Sequence, residues 1–576
     1  MSVRTIQACM GKIPFDLAIY DVQLFNVFTN EIEDVDIGIA GDEFAYVGKF
    51  QKEHHALTRI DGRHRFAAPG LIDSHMHLES SMMTPAQFAA AVLPLGTTSV
   101  AADPHEIGNV LGVDGVKIIC DQVKVLPLHV YMMAPSTIPS APGFEKSGAV
   151  ISGKEITKML AFSGVHGLGE VMDFFGVTDC DPKMMGVIEA ARKKDVLLDG
   201  HTPLLKGKEL QAFIASGIDC DHTYMDVEIV KEKLRLGMCV QIQERFLTQE
   251  LTAYLNHYPV QNRIMLVTDD VAVNRLATNG HLNALIKKAI VLGLETKKAY
   301  RYATINAAEH LRLYHRGAIA PGRRADLILL DSMEEALPAL VVSDGKVVAE
   351  NGHLTISLPK YKFPRKVFHS IHIRPVQERD FEIPCQSPKA LVNVIVHDGK
   401  TSRTRLEQKI CDAENGVLKP ENLVKMVVLN RYHANNNRGL ALLGNLSGFR
   451  GAIATTYAHD CHNLTVYASN DFDLCLAVDT IVSTGGGLVA VQDGQVLCSI
   501  PLPIAGLMCE DDFKTLAKKF NDFNRISKKM GLNHEEPLIF LTLMPLAVIP
   551  DVRLTDMGIV DVRNKTFLPL VAKYLL

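Results

Sequence analysis

Between Ala67 and about Thr304 the chain alternates short apolar segments with longer helical-looking stretches. That alternation builds a parallel β-sheet with helices packed on its faces. Eight such apolar segments occur in order: AAPGLIDSHMH, TTSVAADP, LHVYMMAP, VHGLGEVM, VLLDGHT, IDCDHTYM, MCVQIQE and RIMLVTDD. Eight is the number that closes a (β/α)₈ barrel. Nearly every segment ends in His, Asp or Glu, while the beginnings are apolar or unremarkable. Barrel enzymes carry their chemistry at the C-terminal ends of the strands, so polar residues gathered there point to an active site.

The flanks have a different texture. The first 66 residues read as short strands, with Val35, Ile37 and Ile39 alternating before a glycine turn, and RGAIAPGRRADLILLD and ALVVSDGKVVAENG read the same way after the barrel. The simplest architecture is an α/β chain with four parts: a β-sandwich half at 1–66, a TIM-like barrel at 67–316, the second sandwich half at 317–360, and a C-terminal α/β or α+β domain at 361–576. A linker is expected at LPKYKFPRK, residues 358–366, from its two prolines and four cations. With a formal charge of −5 and 22% charged residues there is no electrostatic reason to expect nucleic acid or a membrane surface as partner. The eleven cysteines include no CxxC pair, and no basic-then-apolar leader or bilayer-length apolar run occurs, so a reducing, cytoplasmic setting is expected.

The first segment ends in HMH. On a strand, residues i and i+2 point the same way, so His75 and His77 project together and make half of a metal site. The fourth segment supplies Glu170, the fifth His201, the sixth His222 and the eighth Asp269. Four imidazoles and two carboxylates form a ligand set for two divalent transition ions, with Glu170 placed to bridge them. Two ions bring four positive charges; two carboxylates and one hydroxide remove three. About one positive charge remains, enough to keep a water ionised near neutral pH. No serine or cysteine nucleophile is then needed. Any single histidine is more often a surface or core residue; the ordered set at successive strand ends is what carries the reading.

Other polar residues fall beside this set. Asp103, His105 and Glu106, in ADPHEIGN, either orient ligands or cap the next helix. Asp199 and Asp221 precede His201 and His222 and are expected to face outward. Glu244, ending the seventh segment, is expected at the mouth as a substrate-facing acid or proton donor. Glu79 and Asp270 are further candidates for substrate contact or ligand support. The HxE-plus-PCxxC pattern of cytidine deaminases and a GxSxG nucleophile elbow are both absent.

Taken together, PGLIDSHMHLESSMMTP, DPHEIGNVLG, GLGEVMDFFGV, DGHTPLLKGKEL, KLRLGM, TDD, the long run ATINAAEHLRLYHRGAIAPGRRADLILLD, AHDCHN and RLTDMG resemble the adenine deaminases of the amidohydrolase superfamily over nearly the whole length. The resemblance implies hydrolytic deamination of adenine to hypoxanthine and ammonia, in purine salvage, with a metal-activated hydroxide as nucleophile. It implies manganese or iron as the paired ions, with zinc the alternative, and a carboxylate in place of the superfamily's carbamylated lysine, here Glu170. Asp269 would shuttle the proton, Glu244 would protonate ring N1, and a homo-oligomer is expected. His459, Asp460 and His462 match a C-terminal motif and would form a lid or substrate contact, or a self-capped turn. The chain departs from the family pattern at Arg245, Phe246, Val271 to Val273 and Gly444. Those changes keep two other readings open: an amidohydrolase for another heterocycle, such as an N6-substituted adenine, and a non-catalytic purine- or metal-binding paralogue.

Overall fold

The computed structural model describes every residue except 1, 204, 259–261, 399–402, 436, 535, 550 and 576. The chain divides into two compact units. The first comprises residues 1–103, 119–134 and 156–361; the second comprises 104–118, 135–155 and 362–576. The last boundary falls inside the proline- and lysine-containing stretch expected as a linker.

All eight expected barrel strands form, and all are parallel to their partners. We number them β1 (Leu71–Met76), β2 (Thr97–Ala102), β3 (His129–Ala134), β4 (Val165–Val171), β5 (Leu197–Gly200), β6 (Cys220–Asp221), β7 (Cys239–Ile242) and β8 (Ile264–Leu266). β1 to β5 make one curled sheet and β6 to β8 another. The β8–β1 seam is closed by a single parallel bridge between Asp269 and Met76. The strands are short and apolar because both faces are covered, which is the usual condition of a parallel sheet. Ile72, Ala101, Met133, Leu197, Cys220, Cys239, Met265 and Val267 share one buried cluster with residues of the helix Ile305–His310.

The two flanks join as expected, in one eight-stranded sheet. Strands Phe15–Asn26, Glu31–Ala40, Glu43–Gly48 and Ala56–Pro69 pair on through Leu327–Leu330 to Pro338–Ser343, Lys346–Glu350 and His353–Leu354. The sheet folds over on itself. Ile19, Ile37 and Phe44 share a core with Leu327, Leu329 and Val342, and the hairpin tip at Gly345 lies so close to Gly41 that a Cβ there would come within 2.2 Å of the Gly41 carbonyl oxygen.

The second unit is built on a mainly antiparallel sheet of ten strands, nine of them in a path from Val417–Lys419 to Gln495–Pro501 and the tenth, the C-terminal Val571–Leu575, branching from Lys389–His397. Helix Asp471–Thr484 buries Leu474, Ala477, Val478 and Ile481 against Val427, Leu464, Val466 and Val489 of that sheet. Its N-cap is Asn470, whose side chain accepts the Asp473 N–H.

This unit holds a buried acid with a consequence for stability. Burial pushes the Glu145 carboxyl up to about 7, with the Asp460 and Asp556 charges adding to the effect against hydrogen bonds from Ala141 N–H and Ser140. The folded protein therefore keeps a proton that the unfolded chain releases near 4.5. Stability should fall as pH rises from about 4.5 to about 7 and level off above, by at most ~3 kcal/mol for this group. Urea melts at pH 5 and pH 8 should show that loss in the wild type and a much smaller one in Glu145→Gln, whose amide mimics the protonated acid.

Candidate functional site

The C-terminal ends of the barrel strands bring the six expected side chains together. His75 and His77 come from the end of β1, Glu170 from β4, His201 from just past β5, His222 from just past β6 and Asp269 from the turn after β8. Ligand atoms of His75, His77 and Glu170 lie within 4.8 Å of one another, as do those of His75, His222 and Asp269, and those of Glu170, His201 and His222. Glu170 is shared. Its Oε1 is 3.4 Å from His77 Nε2, while its Oε2 is 2.6 Å from His201 Nδ1 and 3.1 Å from His222 Nε2. Asp269 Oδ1 lies 3.2 Å from His77 Nε2 and 3.8 Å from His75 Nε2. The His75 and His222 rings stack at 3.7 Å.

Buried carboxylates aim these ligands. His75 Nδ1 donates to Asp199 Oδ2 at 2.6 Å, which turns Nε2 toward the cluster. His77 Nδ1 donates to the Asp103 carbonyl at 2.9 Å, and Asp103 Oδ2 accepts the Glu170 N–H at 2.9 Å. Asp103 thus orients ligands on two strands. Gly169 permits this, because a Cβ there would fall 2.2 Å from Asp103 Oδ2. Asp73 accepts from Thr268 N–H and Oγ1 and so ties β1 to the loop that carries Asp269. Asp269 itself takes a left-handed backbone conformation, φ 57°, while its N–H donates to the His75 carbonyl at 3.2 Å.

Electrostatics follow from this packing. Burial alone would lower the His75 imidazole, yet the Asp199 charge and hydrogen bond hold it up at about 9. Burial would raise Glu170, but His201 and His222 keep its carboxyl well below the usual range. Asp269 is likewise held low against burial by the His77 hydrogen bond and by His222 and Arg245. The pocket therefore stabilises opposite charges at close range. Metal cations fit it. His75 Nε2 is buried with no hydrogen-bond partner although it faces carboxylate and imidazole ligands, and four nitrogens with two carboxylates and no thiolate suit intermediate divalent ions.

Several expectations need correction. Asp199 does not face outward: it is fully buried against His75. Asp221 is equally buried; it accepts from Thr202 N–H, Thr223 and Lys233. Burial would raise its carboxyl, but the Lys233 charge and then His222 hold it at about 2. Glu244 reaches none of the six. Its half-exposed carboxylate pairs with Arg275 at 3.2 Å and Lys288 at 3.1 Å. Arg245, one of the departures from the family pattern, is instead the mouth residue in contact, with its guanidinium 3.2 Å from Asp269 Oδ2 and stacked over Phe246.

The remaining candidates separate by unit. Glu79 is buried in the turn after β1, and Ser80 donates to Asp270. In the second unit, His105, His459 and Asp460 place ligand atoms within 4.8 Å of one another. Tyr457 OH lies 3.4 Å from Glu106, and His462 Nδ1 accepts the Ala458 N–H at 3.2 Å. Within this unit His105 and Glu106 thus share one buried polar cluster with the C-terminal motif. Sequence alone gave no signal for Lys233, which reads as one more charge on an amphipathic helix yet is buried.

A curled parallel sheet whose strand ends gather four imidazoles and two carboxylates defines a metal-dependent hydrolase barrel. The amidohydrolase family matches residues 66–350 and the adenine deaminase C-terminal domain matches residues 401–566. Adenine deaminase 2 of Carboxydothermus hydrogenoformans is 36% identical over 574 residues, 98% of either chain. The adenine deaminase of Kosmotoga olearia is 36% identical, covering 99% of this chain and 98% of its own, and that of Moorella thermoacetica is 37% identical over 96% of each. The chain belongs to the adenine deaminase family of amidohydrolases.

Proposed function

We propose that the protein is a hydrolase of carbon–nitrogen bonds in cyclic amidines and converts adenine and water to hypoxanthine and ammonia. The observation that carries this reading is Glu170, set between the pairs His75–His77 and His201–His222 in a chain similar to adenine deaminases from end to end. His75, His77, Glu170 and Asp269 would hold one divalent ion and Glu170, His201 and His222 a second. Oxygen and imidazole donors suit manganese(II) or iron(II), as in the family resemblance. Such ions supply Lewis acidity at neutral pH, which removes the need for a side-chain nucleophile.

The protein's own groups do the rest. As water adds to C6 and the C6–amine bond then breaks, the water gives up two protons, one to ring N1 and one to the departing amine, and Asp269 is the carboxylate that would carry them, so that ammonia leaves and C6 becomes a carbonyl. Arg245, bonded to the other side of the same carboxylate, fixes its orientation. Asp199 and Asp103 keep the imidazoles in the tautomer that presents Nε2. Incubation of manganese-loaded protein with adenine should release one ammonia per hypoxanthine formed, with guanine, cytosine and N6-methyladenine turned over far more slowly. A faster reaction on any of these three would reassign the substrate.

A further inference from the structure

The two strands that deliver His201 and His222 lie on opposite sides of a break in the barrel. The first curled sheet ends at β5 and the second begins at β6, and among the described residues no backbone pairing joins them. The strands are nonetheless in close approach, since a Cβ on Gly200 would lie 2.2 Å from the Cys220 carbonyl oxygen. Two side chains close this gap: the Cys220 thiol donates to Asp199 Oδ1 at 2.8 Å, and Asp221 makes the tie beside the two histidines. Asp221, the residue before His222, accepts the N–H of Thr202, the residue after His201, at 2.5 Å. It also accepts from Thr223 N–H at 3.1 Å and from Thr223 Oγ1. Lys233, from helix Val227–Arg235, completes the set with its ammonium 2.5 Å from Asp221 Oδ2.

Both partners are almost wholly buried, with side-chain exposures of 1% and 0%. Burying an ion pair costs desolvation that its mutual attraction offsets only when the geometry is good and the other lone pairs are satisfied. Here they are, by three further donors from residues flanking the two histidines. A lysine kept in the interior at that cost fixes geometry; a well-packed apolar residue would serve mere stability as well.

We propose that Lys233 is a positioning residue for the half of the metal centre made by His201 and His222: through Asp221 it locks the β5–β6 seam and so sets the separation of the two imidazoles. The inference rests on the metal-centre reading above but not on adenine as substrate. Loss of the lysine leaves the Asp221 carboxylate buried without its partner, so the carboxylate must shift, and the Thr202 anchor loosens. The half-site made by His75, His77 and Asp269 has its own ties, through Asp199, Asp103 and Asp73, none of which passes through Asp221 or Lys233.

The test is metal binding, read without substrate. Wild type, Lys233→Met and Lys233→Arg are stripped with chelator, titrated with manganese(II), and assayed for bound metal per chain and affinity, with circular dichroism as the control for folding. Lys233→Met should keep one tight manganese and bind the second about 10- to 100-fold more weakly, the range found when groups supporting a ligand are removed. Lys233→Arg should restore most of the second affinity because it keeps the cation. Should the methionine variant fail to fold, Lys233→Gln, which retains a donor but no charge, is expected to show the same selective loss. Two manganese ions bound at wild-type affinity by a folded uncharged variant would overturn the proposal. So would equal weakening of both ions, which would make the pair a general structural support. If adenine proves not to be the substrate while manganese binding behaves as described, the positioning role stands and only the substrate reading falls.

Discussion

Glu170→Gln is expected to cost the purified protein most of its bound metal and to lower turnover of adenine at least ~10³-fold, about 4 kcal/mol of transition-state stabilisation. The size of the effect follows from the shared position of this one side chain. Oε1 faces His77 and Oε2 faces both His201 and His222, so each ion would lose a ligand at once. The substitution is nearly isosteric, so packing is preserved. It nevertheless puts an amide NH₂ on one side, where no acceptor for metal or for an N–H remains, and removes a unit of negative charge from a site that balances cations. Metal content by elemental analysis and ammonia release on the same sample check both arms. A variant with full metal and wild-type turnover would refute the bridging role.

The second large effect should be at Asp269. Asp269→Asn leaves His75, His77 and Glu170 in place, so metal content should fall only in part. Turnover should fall by ~10³ to 10⁴, because a neutral amide can neither accept the proton of the attacking water nor return it to the leaving amine. The two variants are thus distinguished by the ratio of activity lost to metal lost: Glu170→Gln loses both together, while Asp269→Asn loses activity far beyond metal. Parallel losses in the second variant would reduce Asp269 to a ligand alone.

The barrel was legible in the sequence because each strand is a short apolar run with a polar end, and the eight runs map one to one onto β1 to β8. The six converging side chains were legible for the same reason, since strand order fixes which ends can meet. Their support was not. Asp199 finds His75 across 124 residues of chain, and only closure of the barrel turns that carboxylate inward. Lys233 sits in VEIVKEKLR among charges that mostly face water, and periodicity does not mark the one that is buried. Glu244 stands where the sequence places it, at the end of β7, but Arg275 and Lys288 claim its carboxylate from helices that follow later in the chain. The C-terminal unit was the least legible part. Its sheet order interleaves hairpins with a parallel pair, Lys389–His397 beside Arg438–Leu443, which local pattern does not specify.

Anomalous diffraction from crystals of the manganese-loaded protein reads the paired centre most directly. Two peaks should appear, one on each side of the Glu170 carboxylate, the first against His75, His77 and Asp269 and the second against His201 and His222. A single peak, or metal bound only at other residues, would contradict the account.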